Sequence, residues 1–274
     1  MSNLIRAELF KIRTTKTWWI MALIYLPLWG IALLVNWGET EVLARDLFGD
    51  VPAGQAEAVG AVSQPDALAA NLYTNGQFLG LLMVMLLGII VVTGEFFHQT
   101  VTTAFLTTPR RSAVVLAKLA ATACLALIFW LGTTGANLLA GMAILEQVGV
   151  GAQWGGAVWE AVALNGLAYL LWAFFGVGLG TLIRSQIGAT VTGILLYLGG
   201  TIGALTVLTV AANRLGDWVN NLQVLVPSLA SALMITGVDI PGEPPRWAGA
   251  AVLIGYGLVS GLIGILTMRR RDIS

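Results

Sequence analysis

Six runs of this 274-residue chain contain no Asp, Glu, Lys, Arg or His: Trp18–Asn36, Gly76–Gly94, Leu119–Leu145, Ala161–Ile183, Ser185–Asn213 and Trp247–Met268. Each is long enough to matter. A helix rises about 1.5 Å per residue, so about 20 residues cross the roughly 30 Å of bilayer hydrocarbon. A charge at mid-bilayer costs about 2.5–3.5 kcal/mol on insertion scales, which is why spans read as charge-free runs. The composition agrees: 57% of residues are hydrophobic and 10% charged, against about 25% charged in a soluble domain. The expected fold is an all-α, polytopic membrane protein forming a single domain over 1–274. No small-residue cleavage site follows the first run, so it is expected to persist as a span.

A seventh charge-free stretch, 218–238, carries Asn220, Asn221 and Gln223 at one end and Pro227 in its middle. The charges decide how to read it. Arg6, Lys11, Arg13 and Lys16 precede the first span, and Arg269, Arg270 and Arg271 follow the last. Basic residues stay on the cytoplasmic side, so both termini are expected there and the number of spans is even. Residues 214–246 then read as a re-entrant hairpin on the outer side, between the last two spans, packed on the bundle or lining its mouth. With six spans the inner segments hold 11 Lys/Arg and 3 Asp/Glu, and the outer segments 3 and 11. The expected location is the plasma membrane. The stretch 37–75, acidic and with Pro52 and Pro65, reads as a long outer loop.

Residues 1–17 place Ile5, Leu9 and Ile12 on one helical face with Arg6 and Arg13 near its flank, which suggests an interfacial helix along the inner surface. Trp18, Trp19, Trp37, Trp154, Trp159, Trp218 and Trp247 fall near span ends, as interfacial anchors do. Small-residue spacings recur at Gly76/Gly80, Gly176/Gly180, Gly199/Gly203 and Gly257/Gly261, and such pairs let helices approach closely.

The cytoplasmic loop 95–118 carries the most chemistry. It opens Glu95, Phe96, Phe97, His98, Gln99, Thr100, continues through Thr107, Pro109, Arg110 and Arg111, and reaches Lys118. Its alternation of aromatic, hydroxyl and charged side chains fits a short helix before Pro109 that docks into a groove on a soluble partner. A solvated loop is the plainer reading.

The pattern Gly94-Glu95-Phe96-x-His98-x-Thr100, then Leu106-Thr107-Thr108-Pro109-Arg110-Arg111 and a Lys, resembles the membrane permeases of the ATP-binding-cassette exporter superfamily, in its second membrane-subunit family. Glu8-Leu9-x-Lys11-x-Arg13 before Trp18 is similar too, as is the six-span layout. The resemblance implies that 95–109 is the coupling helix that contacts a separate ATPase subunit. It implies that 2–16 is a connecting helix and that Arg184 and Ser185 mark a second, smaller contact. It also implies a second copy of the permease, or a related chain, as partner.

The remaining residues limit the chemistry. Lysines stand only at 11, 16 and 118, and none ends a Gly-x4-Gly-Lys-Ser/Thr loop, so no standard phosphate-cradling loop is present. ATP and Mg would belong to the partner, and the chain is expected to hold no cofactor, no metal and no nucleic acid. The lone histidine, His98, has no zinc-protease partner, and a Ser–His pair would have to recruit it. The lone Cys124 forms no internal disulfide. The chain is therefore expected not to be an enzyme. Two alternatives stay open: a sodium-coupled or other secondary transporter, and a membrane anchor for a signalling ATPase. Proton coupling fits poorly, since no ionisable residue lies within the six runs. In the exporter reading Asn137, Asn165 and the threonines of the fifth span are candidates to line a pathway, against the plainer reading that they bond to helix backbones.

Overall fold

The structure is a computed structural model and describes residues 2–47, 60–100, 111–183 and 185–270. Among these residues every regular element is helical. α1 (Ser2–Thr14) and α2 (Thr17–Leu47) are followed by α3 (Pro65–Tyr73), α4 (Gln77–Phe97), α5 (Arg111–Gln147) and α6 (Gly156–Leu182). α7 (Gln186–Ile194) passes through a π-helical turn (Leu195–Gly199) into α8 (Gly200–Leu215). A 3-10 segment (Asp217–Leu225), α9 (Pro227–Met234) and α10 (Arg246–Arg270) complete the chain. Six stretches are long and apolar enough to cross a membrane: Thr17–Arg45, Pro65–Phe97, Ser112–Gln147, Gly156–Leu182, Gln186–Leu215 and Arg246–Thr267. That is the architecture of a polytopic membrane protein.

Several helices outrun their charge-free cores. α2 continues past Asn36 through Glu39, Glu41 and Arg45, where Arg45 donates to Glu41 one turn back. The expected loop 37–75 is thus helical at its near end, and its far end holds α3. Pro65 stands at the start of α3, where a missing N–H costs nothing. Leu68, Ala69, Ala70, Leu72 and Tyr73 bury against α5 and α6. This helix is too short to span, so no length criterion finds it. α5 begins at Arg111, well before the charge-free run, and takes Lys118 with it.

The core is a packed sheaf of α4, α5 and α6. α4 and α6 meet backbone to backbone: a Cβ on Gly176 would overlap the Met85 carbonyl, and one on Gly88 would lie 2.5 Å from the Ala173 carbonyl oxygen. Gly180 meets the Ile89 carbonyl in the same way. The Gly176/Gly180 pair is therefore a packing seam, whereas Gly199 and Gly203 face open space. In the apolar windows of the first and fifth spans only 6% and 11% of residues are buried, against 72% in Pro65–Phe97. Two helices thus stand at the periphery of the sheaf.

The stretch between the last two spans is two short helical pieces. α9 is 8 residues long, about 12 Å, and does not span. It packs on the bundle: Ser228, Ala230, Ser231 and Met234 are buried. The Ser228 and Thr201 hydroxyls lie 2.6 Å apart, and the Trp172 indole N–H donates to Ser231 Oγ at 2.8 Å. Tyr197, buried within the π turn, donates to the Phe78 carbonyl at 2.6 Å.

Candidate functional site

α1 ends where Thr14 and Thr15 turn their hydroxyls back onto the Phe10 and Ile12 carbonyls, and α2 follows directly at Thr17. The face that α1 turns inward is centred on Glu8 and flanked by Ile5, Leu9 and Ile12, while Phe10 points out. α1 packs against the start of α5, which places Glu8 beside Lys118. The last turn of α4 brings Glu95 to the same point.

These groups close into a ring of alternating charge. Lys11 Nζ donates to Glu8 Oε1 and to Glu95 Oε1, both at 2.7 Å. Lys118 Nζ lies 2.9 Å from Glu8 Oε2 and 2.8 Å from Glu95 Oε1. Its third donor reaches the Val91 carbonyl at 3.3 Å, so the Lys118 ammonium is saturated. The Lys118 side chain is 1% exposed, Glu8 8% and Glu95 9%, whereas Lys11 is 48% exposed. Two ammoniums and two carboxylates sum to zero. Burying an ion costs several kcal/mol unless partners and hydrogen bonds compensate it, and here each charge has two partners of opposite sign. Burial alone would lower the Lys11 pKa, but its hydrogen bonds and the charges of Glu8 and Glu95 outweigh it and hold it above lysine's ordinary 10.5. The ring ties α1, α4 and α5 together at one end of the sheaf.

The residues of the loop expected to dock divide at this point. Glu95, Phe96 and Phe97 form the last turn of α4, not the start of a new helix. Gln99, at φ +56°, closes α4: its N–H donates to the Phe96 carbonyl and the Thr100 N–H to the Glu95 carbonyl. That pair of bonds ends a helix with one left-handed residue, a place usually taken by Gly. Glu95 faces inward into the ring. Phe97, His98, Gln99 and Thr100 are exposed, and the Phe97 and His98 rings meet edge to face at 5.0 Å. Thr107, Pro109, Arg110 and Arg184 lie outside the described residues, and of Arg111 only its place at the head of α5 is described. Ser185 Oγ accepts from the Gly188 N–H at 3.1 Å and caps α7.

A second polar centre sits at the opposite end of the same helices. α3 breaks from α4 at Gly76, with φ +73°, and this turn is gripped by α2 and α5. The Trp29 indole N–H donates to Asn137 Oδ1 at 2.6 Å. Asn137 Nδ2 donates to the Tyr73 and Asn75 carbonyls at 3.3 and 2.9 Å. Asn36 Nδ2 donates to Asn75 Oδ1 at 2.7 Å, and Tyr25 to the Gly76 carbonyl at 3.0 Å. Asn137 is thus spent on structure. Thr201 and Thr206 bond to carbonyls of their own helix, whereas the buried Asn165 Oδ1 has no hydrogen-bond partner among the described residues.

Glu8, Lys11 and Lys118 are members of the ring that residue-by-residue reading does not assign to a site. One signal is available in the sequence: each is a single charge set among apolar neighbours, and Glu8 is the one acid on a basic helix.

Residues 58–274 match the model of a family described as "Protein of unknown function (DUF2705)". The matched stretch holds Glu95 and Lys118, while Glu8 and Lys11 precede it. No curated protein matches the chain. By this match over most of its length, the chain belongs to the DUF2705 family.

Proposed function

We propose that the chain is the transmembrane permease subunit of an ATP-driven exporter of the ATP-binding-cassette superfamily, with both termini in the cytoplasm and ATP hydrolysis on a separate subunit. The observation that carries this reading is the charged ring. It joins the amino-terminal helix to the ends of two core helices directly behind an exposed turn, Phe97 to Thr100. A push on that turn from a docked partner would pass through Glu95 into α1 and α5 together. The motif resemblance over residues 94–118 and the basic bias of the same end support the reading. In it, the exposed turn and the residues through Arg111 meet the ATPase, and Ser185 with Arg184 forms the smaller contact. Two permeases, identical or related, pair with two ATPase subunits in the plasma membrane, and the 214–246 segment dips into the outer side.

The test is co-purification of the tagged chain in mild detergent with identification of its partners. A stoichiometric subunit carrying a phosphate-binding loop is expected. Phe97→Asp, which alters an exposed ring 64% accessible, should reduce its recovery at least tenfold while leaving membrane insertion intact. Recovery of the chain without any ATPase, or an unchanged complex in Phe97→Asp, would overturn the docking reading.

A further inference from the structure

With the six apolar stretches placed in hydrocarbon, the charges set the depth of α1. Glu95 directly follows the charge-free run 76–94, and Lys118 directly precedes the run 119–145. The ring therefore marks the edge of the hydrocarbon. Glu8 is held at that edge by Lys118. Trp18 opens another charge-free run and stands at the same edge. Were the chain from Glu8 to Trp18 a helix along the bilayer normal, the two would differ in depth by about 15 Å. With both at one depth, α1 lies along the membrane surface.

Its two sides differ. The inward side carries Glu8, flanked by Ile5, Leu9 and Ile12, and packs on α5. The apolar stripe that an interfacial helix offers to lipid is thus turned to the protein. At 3.6 residues per turn, Arg6, Phe10 and Arg13 fall within about 60° of one another on the opposite side. All three are exposed, Phe10 at 67%. Neither arginine makes an ion pair among the described residues. Glu8 is the one acid of α1, and the ring neutralises it. The outward side is therefore purely cationic around a single aromatic ring, and the exposed Lys16, Trp18 and Trp19 continue it.

Charge calls for an anionic partner, and geometry says which. α1 packs on the flank of α5, which is one of the six membrane-crossing stretches. The side of α1 turned away from that flank looks along the membrane plane, at headgroup depth. A soluble partner approaching along the span axis meets the end of the sheaf, not this side. Guanidinium groups pair with phosphate oxygens, and basic residues at this depth attract anionic lipid.

We propose that the Arg6–Phe10–Arg13 side of α1 binds anionic phospholipid headgroups of the inner leaflet, with phosphates on the two arginines and Phe10 set among the first acyl carbons. The proposal does not depend on the exporter reading, since neither an ATPase nor a second copy enters it.

The test replaces the exposed Phe10 with the photo-crosslinking residue p-benzoylphenylalanine in the full chain. In native membranes, illumination should yield adducts of phospholipid mass. Adducts to another protein in their place would assign this side to a protein partner and overturn the proposal. In nanodiscs with equal amounts of phosphatidylglycerol and phosphatidylcholine, phosphatidylglycerol adducts should exceed phosphatidylcholine adducts by about fivefold or more. Arg6→Gln with Arg13→Gln, both on exposed positions, should bring the two yields level, while Arg214→Gln at the end of α8 leaves the preference unchanged. Equal yields in the chain with both arginines intact, or a preference that survives their removal, would overturn the headgroup assignment.

Discussion

The two polar centres of this molecule do the same mechanical task with different chemistry. From Lys118 to Asn137 along α5, and from Asn75 to Glu95 across α4, the helix covers roughly 30 Å, about one hydrocarbon thickness. At one end full charges close a ring; at the other, amides and an indole close a neutral network. The ionic ring holds helices that come from three separate parts of the sequence and depends on all four members to stay neutral. The amide network grips a single backbone turn, and its loss leaves dipoles unpaired, not charges. The difference teaches that one end is sensitive to the loss of a single proton or side chain, while the other degrades gradually.

Lys118→Met should break the comparison most strongly. It leaves Glu8 and Glu95 facing each other with only Lys11 between them, and removing one partner of a buried ion pair costs about 3–5 kcal/mol. Unfolding in mixed micelles should show that loss. A shift under about 1 kcal/mol would mean that water already solvates the ring. Adding Glu8→Gln to Lys118→Met restores neutrality and should recover part of the stability, a recovery that a simple packing defect would not show. Asn137→Leu removes the bonds to Trp29, Tyr73 and Asn75 but no charge, so the same assay should register a smaller loss of about 1–2 kcal/mol. An Asn137→Leu loss equal to that of Lys118→Met would erase the distinction.

The smallest effect concerns pH. The Lys11 pKa is raised in the folded chain. Its stabilisation is therefore fully present below the ordinary value of 10.5 and lost as pH rises through the raised one. A spin label at Arg6→Cys, in a Cys124→Ser background, should report constant α1 mobility across neutral pH and loosening only above lysine's usual range. Loosening near neutrality would show that another group governs α1.

The spans are legible because hydrocarbon excludes charge, and that rule reads directly off runs such as Trp18–Asn36. It misjudges their ends for the same reason. Lys118 looks like a boundary, yet it lies inside α5, because Glu8, far earlier in the chain, and Glu95 neutralise it. No local pattern encodes a partner at that distance. α3 is invisible to sequence reading because so short a helix satisfies neither a length criterion nor a strong periodicity, and its burial comes from α5 and α6. Of the residues expected to dock, Phe97, His98, Gln99 and Thr100 are exposed, while Glu95 turns inward. Exposure and burial on consecutive residues of one helical turn depend on what the turn packs against.

The seam of Gly88, Gly176 and Gly180 makes α4 and α6 the keel of the molecule. Two backbones in contact cannot slide: a shift of one residue, about 1.5 Å along the axis, would drive carbonyls such as that of Met85 into side-chain atoms on α6. The pair is therefore interlocked against sliding. Compliance is left to the outer members, α2 with Pro27 inside it and the fifth span with its π turn. The charged ring is bolted to the keel through Glu95, so a displacement at that end would act as leverage on α1 and α5, not as sliding between α4 and α6.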